Sequence, residues 1–456
     1  MAKLSLFDMA FLLTESAESP KHVGGLMIFK PPANKGKKFA HELYTEALNF
    51  SEAIEPFNQV LSLWKLGGPG WVTDRQFNIE NHVFFHSLEQ NDEQSFNKLV
   101  ANLHAIQLPR NKPLWEFHII SGLENNRFAC FCKIHHAYAD GVTLARWLSR
   151  NLSNSPRDSH FHPLWSTAGS GVKATRHRQS SMLPGALKTI GGSPRMLLGL
   201  YKLSLQLLLE RWGLTKNAVA VPFQTSQRQP LTGQVSAGRD IAMTSVKMDR
   251  VEAICKRARA TLNHIALCCV DAGLRRYLAD QGDHDDSPIT IQMPVNLRNK
   301  DDASAGNKIG FVLVELARNT SDPYLRLREI GFTLRNVRNQ VDGVPPSSMM
   351  AYSLGVNAVG VLAEMLGLSD RVPPLGHTLV SNVPGPKTPL YEAGAKLEAM
   401  YPLSALVAGN HLNITLFSYH DKLHFGLVAS KEVKQLPTLA KYIANAFEEL
   451  ETVLKE

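Results

Sequence analysis

The chain contains the stretch Ile134-His135-His136-Ala137-Tyr138-Ala139-Asp140-Gly141-Val142, which places two adjacent imidazoles close to a carboxylate. The residues before it, 127–134, are rich in apolar and aromatic side chains and follow the turn-prone pair Asn125-Asn126, a pattern typical of a buried strand. After it, apolar residues recur at helical spacing from 142 to 152. The sequence therefore predicts that both histidines lie where a strand gives way to a helix, a position from which a side chain reaches a cleft.

The histidine pair is suited to proton transfer. Histidine has the ordinary pKa nearest neutrality, so it can take a proton from a hydroxyl and return it to a leaving group. The chain has no Gly-x-Ser-x-Gly turn and no cysteine on a comparable turn nearby, so a covalent acyl-enzyme is not indicated. Adjacent residues at a strand end point in opposite directions, which argues against both imidazoles binding one metal ion. We expect one histidine to face a cleft, the other to face the interior, and no metal site.

The stretch from His135 to Gly141 resembles the HHxxxDG motif of the CoA-dependent acyltransferase superfamily. Further blocks resemble, in the same order, those of the bacterial wax ester synthase/diacylglycerol acyltransferases: Leu4-Ser5-Leu6-Phe7-Asp8, Lys21-His22-Val23-Gly24-Gly25, Pro113-Leu114-Trp115-Glu116, Pro294-Val295-Asn296-Leu297-Arg298, Gly306-Asn307 and Ser381-Asn382-Val383-Pro384-Gly385-Pro386. The resemblance runs nearly end to end. It implies an α/β fold of two chloramphenicol-acetyltransferase-like domains, each a mixed sheet covered by helices, with the active site in a channel between them.

The length of 456 residues suits two domains, with a hydrophobic content of 44% and a charged content of 20% that are ordinary for a globular protein. We predict an N-terminal domain over 1–153, a basic helical linker over 154–230 and a C-terminal domain over 231–456. The first part of that linker is rich in Ser, Gly, Pro and basic residues, and a helix is predicted at 194–212. This helix is either a crossover helix that packs on a domain or an interfacial helix that rests on anionic lipid.

The net charge of +8 is unevenly distributed, because Glu210 is the only acidic residue between Ser159 and Arg239. Such a basic segment suits an anionic partner, and the CoA phosphates are one candidate. The five cysteines form no CxxC pair, which favours a reducing compartment. The N-terminus lacks the pattern of a secretory signal, and the apolar run 196–209 is shorter than the about 20 residues that span a bilayer. We expect a cytoplasmic protein, with peripheral contact to the inner membrane or to lipid inclusions left open.

The resemblance assigns the residues of the motif their roles. It implies that His136 is the general base, with His135 beside it, and that the alcohol attacks the thioester of acyl-CoA directly. Asp140 has three competing roles, which are to cap the following helix, to orient a histidine, or to pair with Arg298; the resemblance favours the ion pair with Arg298. Gly141 is expected to permit a close backbone approach beside the histidines.

Four polar residues in apolar surroundings, Asn263, Asn296, Ser381 and Asn382, are candidate substrate contacts or oxyanion donors. Each one equally suits a loop or a helix cap. The expected substrates are acyl-CoA and a long-chain fatty alcohol or diacylglycerol, with no cofactor and no nucleic-acid partner. The alternatives are a non-catalytic lipid-surface binding protein and a related small-alcohol or condensation-type acyltransferase. An intact HHxxxDG motif favours the long-chain enzyme over a binding protein, because a binding protein needs no base.

The stretch 347–368 combines large apolar residues with small ones on one predicted helix. Such a helix either packs tightly in the interior or forms the wall of an acyl-chain tunnel, and packing is the preferred interpretation. Trp115 is likewise expected to be a core aromatic at the start of a strand rather than a substrate contact.

Overall fold

The computed structural model describes residues 4, 6–62, 69–167, 201, 205, 219–296, 309–318 and 320–455. Its helices are α1 Leu6–Thr14, α2 Phe39–Leu48, α3 Glu93–Ala105, α4 Gly141–Asn151, α5 Leu164–Thr167, α6 Met248–Ala258, α7 Leu262–Asp280, α8 Pro323–Asp342, α9 Pro346–Met365 and α10 Leu436–Val453. Its strands are β1 His22–Lys30, β2 Gln59–Ser62, β3 Gly70–Thr73, β4 Val83–Ser87, β5 Trp115–Leu123, β6 Arg127–His135, β7 Asp240–Lys247, β8 Thr290–Asn296, β9 Ile309–Glu315, β10 Thr378–Pro384, β11 Tyr391–Glu392, β12 Ala395–Leu403, β13 Leu412–Tyr419 and β14 Lys422–Ala429.

The first sheet has the strand order β11-β12-β1-β6-β5-β4. Its neighbours are antiparallel except for the parallel pair β4 and β5. In the central pair, His22 of β1 lies opposite His135 of β6. One face is covered by α2, α4 and α5, which contribute Leu43, Leu148 and Trp165 to its core. The histidine pair therefore lies at the end of a central strand, β6, which is hydrogen-bonded to β1 on one side and to β5 on the other.

The second sheet has the strand order β7-β14-β13-β10-β8-β9. It is also mixed, since β10 runs parallel to β13 and to β8 while the other neighbours are antiparallel. The long buried helix α7 and the C-terminal helix α10 pack together against this sheet. The predicted fold class, two mixed sheets covered by helices, is confirmed.

The two sheets are joined more closely than a linker between two domains requires. The strand β12 lies in the first sheet although it follows β10 of the second, and it contacts β13 and β14. A third core cluster lies between the sheets, where Phe131 and α3 meet Ile241 of β7 and Val428 of β14. The second half of the chain thus completes the first sheet.

The predicted domain boundaries at 153/154 and 230/231 stay predictions, and the structure adds contacts that cross them. Trp165, in the predicted linker, is fully buried in the first core and donates its indole N–H to the Phe50 carbonyl. Of the helix predicted at 194–212, Tyr201 and Leu205 are described; both are helical and exposed, and the rest of that helix lies outside the described residues. Among the described helices, none is both long enough and apolar enough to cross a membrane.

The preferred interpretation of the stretch 347–368 is wrong. The helix α9 forms as predicted, but among its described side chains only Ser348, Met349, Ser353 and Ala363 are buried. It packs on β9 along one narrow face, which leaves the apolar side chains of its last turns in solvent. Trp115, by contrast, is the buried core aromatic expected of it, with 1% of its surface exposed.

Candidate active site

The two adjacent histidines differ in their surroundings. His135 ends β6 and has no exposed surface, whereas His136 follows the strand and is half-buried. The backbone N–H of His136 donates to the carbonyl of Lys21 at 2.9 Å, which extends the β1–β6 pairing by one residue. The backbone of His136 is therefore fixed just beyond the end of the sheet, and its imidazole projects from that position.

The tautomer of His135 follows from its neighbours. Its Nδ1 atom accepts the backbone N–H of Ala137 at 3.0 Å, so the proton of the neutral ring is on Nε2. Nε2 lies 3.5 Å from the carboxylate of Glu15, which is also fully buried. Burial acts to raise the pKa of Glu15, but the interaction with His135 and hydrogen bonds from Gln107 and the Lys21 N–H lower it to about 2. His135 is therefore held between a backbone N–H and a carboxylate.

The ring of His136 stacks on Phe11 of α1, with 4.4 Å between ring centroids and 10° between planes. Burial lowers the pKa of His136 to about 4, and the charge of Asp140 acts in the opposite direction. The neighbours His135 and Lys21 lower it further. An imidazole in this environment is neutral near pH 7, which is the state that accepts a proton.

Asp140 is the N-cap residue of α4. Its carboxylate accepts the backbone N–H of Thr143 at 2.7 Å. This is the first of the three predicted roles, and a cap of this kind contributes about 1 kcal/mol. Arg298 lies outside the described residues, so the ion pair that the resemblance favours stays a prediction. A Cβ atom at Gly141 would meet no described heavy atom within 4 Å, so the close approach expected there is not seen.

The structure brings together two of the four candidate substrate contacts. The amide of Asn382, on β10, donates to the Oδ1 atom of Asn263 at 2.5 Å, and both side chains are exposed. Asn263 lies in the first turn of α7, whose N-cap is Thr261. The strand β10 packs against α4, the helix that begins beside the histidines. Ser381 is half-buried on the same strand, and the side chain of Asn296, at the end of β8, lies outside the described residues.

The structure also describes the surroundings of four cysteines and the grouping of possible metal ligands. Cys130, Cys132, Cys268 and Cys269 are buried, and burial raises their thiol pKa values, so none is a thiolate nucleophile. Within the part of the chain that the structure describes, no three His, Cys, Asp or Glu side chains are grouped closely enough to hold a metal ion.

Two members of the basic segment are not available to CoA phosphates. Arg228 is buried and donates to the carboxylate of Asp283 at 2.7 Å. Arg239 is also buried and donates to backbone carbonyls, one of them that of Glu18. The expectation that this segment supplies phosphate contacts is therefore wrong for these two arginines.

The sequence did not identify three residues that surround the pair. Glu15 and Phe11 lie in the N-terminal segment, and Lys21 is the first residue of the block Lys21-His22-Val23-Gly24-Gly25. The side chains of Glu15 and Lys21 are buried at a strand end. The sequence gives no sign of this burial, because the segment is too short for its apolar periodicity to show which side chains face the interior.

Comparisons with solved structures define the class of fold. The first condensation domain of the calcium-dependent antibiotic synthetase matches with a TM-score of 0.61 at 13% identity, covering 100% of this chain and 96% of that one. The wax ester synthase/diacylglycerol acyltransferase from Marinobacter aquaeolei VT8 matches with a TM-score of 0.76 at 26% identity, covering 100% of both chains. The fold is thus shared with condensation domains and with that acyltransferase.

Sequence comparisons give the family. Residues 4–266 match the model of the wax ester synthase/diacylglycerol acyltransferase catalytic domain, and residues 305–451 match the model of the WS/DGAT C-terminal domain. A putative diacylglycerol O-acyltransferase of Mycobacterium tuberculosis is 34% identical over 99% of this chain and 98% of its own length. The O-acyltransferase WSD of Acinetobacter baylyi is 32% identical over 99% and 96%. The chain belongs to the wax ester synthase/diacylglycerol acyltransferase family and is an acyltransferase.

Proposed function

We propose that this acyltransferase moves a long-chain acyl group from acyl-CoA to a fatty alcohol or to diacylglycerol, giving a wax ester or a triacylglycerol. His136 takes the proton of the alcohol, the alkoxide attacks the thioester carbonyl, and the tetrahedral intermediate collapses to release CoA. The proton returns from the imidazolium of His136 to the departing thiolate. The step needs one positioned base, which contributes about 10²–10⁴-fold.

The observation that carries this proposal is the difference between the two histidines. His135 is fully buried, with Nδ1 accepting a backbone N–H and Nε2 facing Glu15. His136 is half-buried and its lowered pKa keeps it neutral. A neutral and partly accessible imidazole is what a general base requires, so His136 takes that role and His135 supports it.

Direct attack without an acyl-enzyme is supported by the surroundings of the pair. The buried cysteines have raised pKa values, and the sequence lacks the serine turn of covalent acyl transfer. On the acceptor side, we place the amide pair of Asn263 and Asn382, together with Ser381 and Asn296, in contact with the substrate. The amide pair is exposed, and the strand that carries Asn382 packs against α4, which supports this placement.

Substrates of this kind partition out of water, so we also propose that the enzyme meets them at a lipid surface. Five exposed apolar side chains, which we term the apolar rim, support this: Leu13, Ile106, Leu362, Met365 and Leu366. They belong to α1, to the segment after α3 and to the end of α9. Glu15, directly after α1, contacts Gln107 after α3, and Lys21, six residues further along the chain, contacts Glu364 of α9. Large apolar side chains that are exposed together on a protein surface are typical of interaction sites.

The function is tested by measuring CoA release from palmitoyl-CoA with hexadecanol or dioleoylglycerol as acceptor. The parent is compared with His136→Ala and with Lys35→Met, a control that removes one partner of an exposed ion pair with Glu42. We expect turnover in the parent and the control, and a loss of about 10²–10⁴-fold in His136→Ala with an unchanged circular dichroism spectrum.

Full activity in a folded His136→Ala would remove this base from the mechanism. No parental turnover with either acceptor, combined with binding of palmitoyl-CoA, would instead favour a lipid-surface binding protein. Turnover confined to short alcohols or to amines would favour a small-alcohol or condensation-type acyltransferase.

A further inference from the structure

A cluster of buried charges lies directly behind His136, where the two halves of the chain meet. The ammonium of Lys21 is 3.8 Å from the carboxylate of Glu364, and the two side chains are only 7% and 10% exposed. The same ammonium donates to the hydroxyl of Ser19 at 2.6 Å. Lys21 directly precedes β1 of the first sheet, and Glu364 lies in the last turn of α9, so this ion pair connects the two halves.

The backbone of Lys21 supports both histidines. Its carbonyl accepts the backbone N–H of His136 at 2.9 Å. Its own N–H donates to the carboxylate of Glu15 at 3.1 Å, and that carboxylate faces Nε2 of His135. A displacement of Lys21 would therefore move the backbone of one histidine and the partner of the other.

Glu364 is held equally firmly on the other side. Its carboxylate accepts the backbone N–H of Gly409 at 3.2 Å, and its backbone carbonyl accepts the amide of Gln234 at 3.2 Å. The guanidinium of Arg239 donates to the carbonyl of Glu18. Burial lowers the pKa of Arg239, and the nearby charge of Glu364 acts to raise it. One carboxylate thus serves two buried cations from different segments.

We propose that Lys21 and Glu364 form a positioning pair. Their ion pair holds the backbone of Lys21, which bonds to the backbone of His136, at a fixed position relative to α9. The inference rests on the proposed role of His136 as the base. Breaking one partner of a buried ion pair leaves an uncompensated charge, so the pair resists separation of the two segments. The helix α9 and the base then keep a constant relative position during turnover.

The charge of Lys21 also reaches the imidazole. The groups that act on His136 are Asp140, which raises its pKa, and His135 and Lys21, which lower it. Replacing Lys21 by methionine removes the ammonium charge that lowers this pKa while it keeps most of the bulk of the side chain. Replacing it by arginine keeps the charge. The two substitutions therefore separate the role of the charge from a role in packing.

The test compares Lys21→Met, Lys21→Arg, Glu364→Gln and the double variant Lys21→Met/Glu364→Gln, with Lys35→Met as the exposed control. We expect Lys21→Met to lower kcat by roughly 10–100-fold, the effect of displacing a reacting group by about 1 Å, with a smaller change in KM. We expect Lys21→Arg to retain most of the parental kcat. The double variant should lose no more than the worse single variant, because the two residues act as one unit.

The second readout is the pKa of His136, followed by NMR on histidine-labelled protein and assigned from the signal that His136→Gln removes. We expect this pKa to rise in Lys21→Met and to stay at the parental value in Lys21→Arg and Lys35→Met. A folded Lys21→Met with the parental kcat overturns the inference. An equal loss of kcat in Lys21→Met and Lys21→Arg, with no change in the pKa of His136, also overturns it. Full activity of His136→Ala would instead overturn the proposed function, and the titration would still report on the pair.

Discussion

The carboxylate of Glu15 lies 3.5 Å from Nε2 of His135, and neither side chain has any exposed surface. Because Nδ1 of the same ring accepts the Ala137 N–H, this contact selects one tautomer. The carboxylate also accepts the N–H of Lys21 and the guanidinium of Arg110, at 3.1 and 3.2 Å. A single residue of the N-terminal segment therefore orients one histidine and fixes the backbone that supports the other.

Replacing Glu15 by glutamine should reduce stability in a pH-dependent way. The pKa of Glu15 is lowered to about 2 in the folded protein, so its contribution is complete above its ordinary value of 4.5 and is lost as the pH falls from there towards 2. We expect Glu15→Gln to lower the free energy of unfolding by roughly 1–3 kcal/mol at pH 7. The difference from the parent should shrink at pH 3.5. Urea titrations at both pH values measure it, and an equal difference at both would contradict the prediction.

The pH dependence of turnover should report the lowered pKa of His136. Its value of about 4 means that the imidazole remains neutral from pH 8 down to about 5, and is protonated only below that. We expect kcat/KM for a short, water-soluble alcohol to be constant over this range and to fall near pH 4. Removal of the opposing charge in Asp140→Asn should shift the fall to lower pH. An acid limb near pH 6.5, the ordinary value for histidine, would contradict this environment.

The position of the site could be predicted from the sequence because it depends on local patterns. The apolar run of β6 and the helical spacing after Gly141 place His135 and His136 at a strand end without any tertiary information. The cap at Asp140 was one of the predicted alternatives for the same reason. The contacts of Glu15 and Lys21 could not be predicted, because they join segments that are distant in the sequence and local periodicity carries no record of long-range pairing.

The second sheet shows the same limit. The strands β13 and β14 form a hairpin around 420–422, a pairing for which alternation and a short turn are local signals. The placement of β12 in the first sheet, by contrast, depends on which edge is free in the folded molecule. The exposure of α9 was also mispredicted, because an apolar composition does not say whether a partner surface exists.

Two substitutions at Asp140 should distinguish its alternative roles. If the residue acts only as the cap of α4, Asp140→Ala loses about 1 kcal/mol of stability and Asp140→Asn loses little, because asparagine is an equally good N-cap. If it also pairs with Arg298, both variants leave that guanidinium without its partner, and both lose roughly 3–5 kcal/mol if the pair is a buried one. Thermal and urea unfolding of the two variants give the answer. The N-cap hydrogen bond to Thr143 is common to both patterns, so the size of the loss decides between them.

The apolar rim should govern binding to lipid. Met365 and Leu366 are 64% and 63% exposed, and burial of such side chains contributes roughly 1.5–3 kcal/mol each when complete. We expect Met365→Ser/Leu366→Ser to reduce co-sedimentation with phosphatidylglycerol vesicles containing dioleoylglycerol by tenfold or more, while turnover of a water-soluble alcohol is retained. The matched control is Leu325→Ser/Phe332→Ser on α8, where both side chains are also exposed. Equal losses in the two variants would indicate nonspecific adsorption.

The junction between the sheets should tolerate no side chain at Gly426. A Cβ atom there would lie 2.0 Å from the carbonyl oxygen of Pro402, where β14 passes β12. That oxygen belongs to a strand paired with β1, so it cannot move without disturbing the sheet that carries His135. We expect Gly426→Ala to lower stability by about 3 kcal/mol or more, beyond the usual cost of overpacking. Gly36→Ala is the control, since a Cβ atom at Gly36 meets nothing within 4 Å. If Gly426→Ala unfolds at the same urea concentration as the parent, the two sheets are not locked at this crossing. If it unfolds at a lower urea concentration than the parent and loses activity before the global transition, the crossing holds the catalytic strand in place.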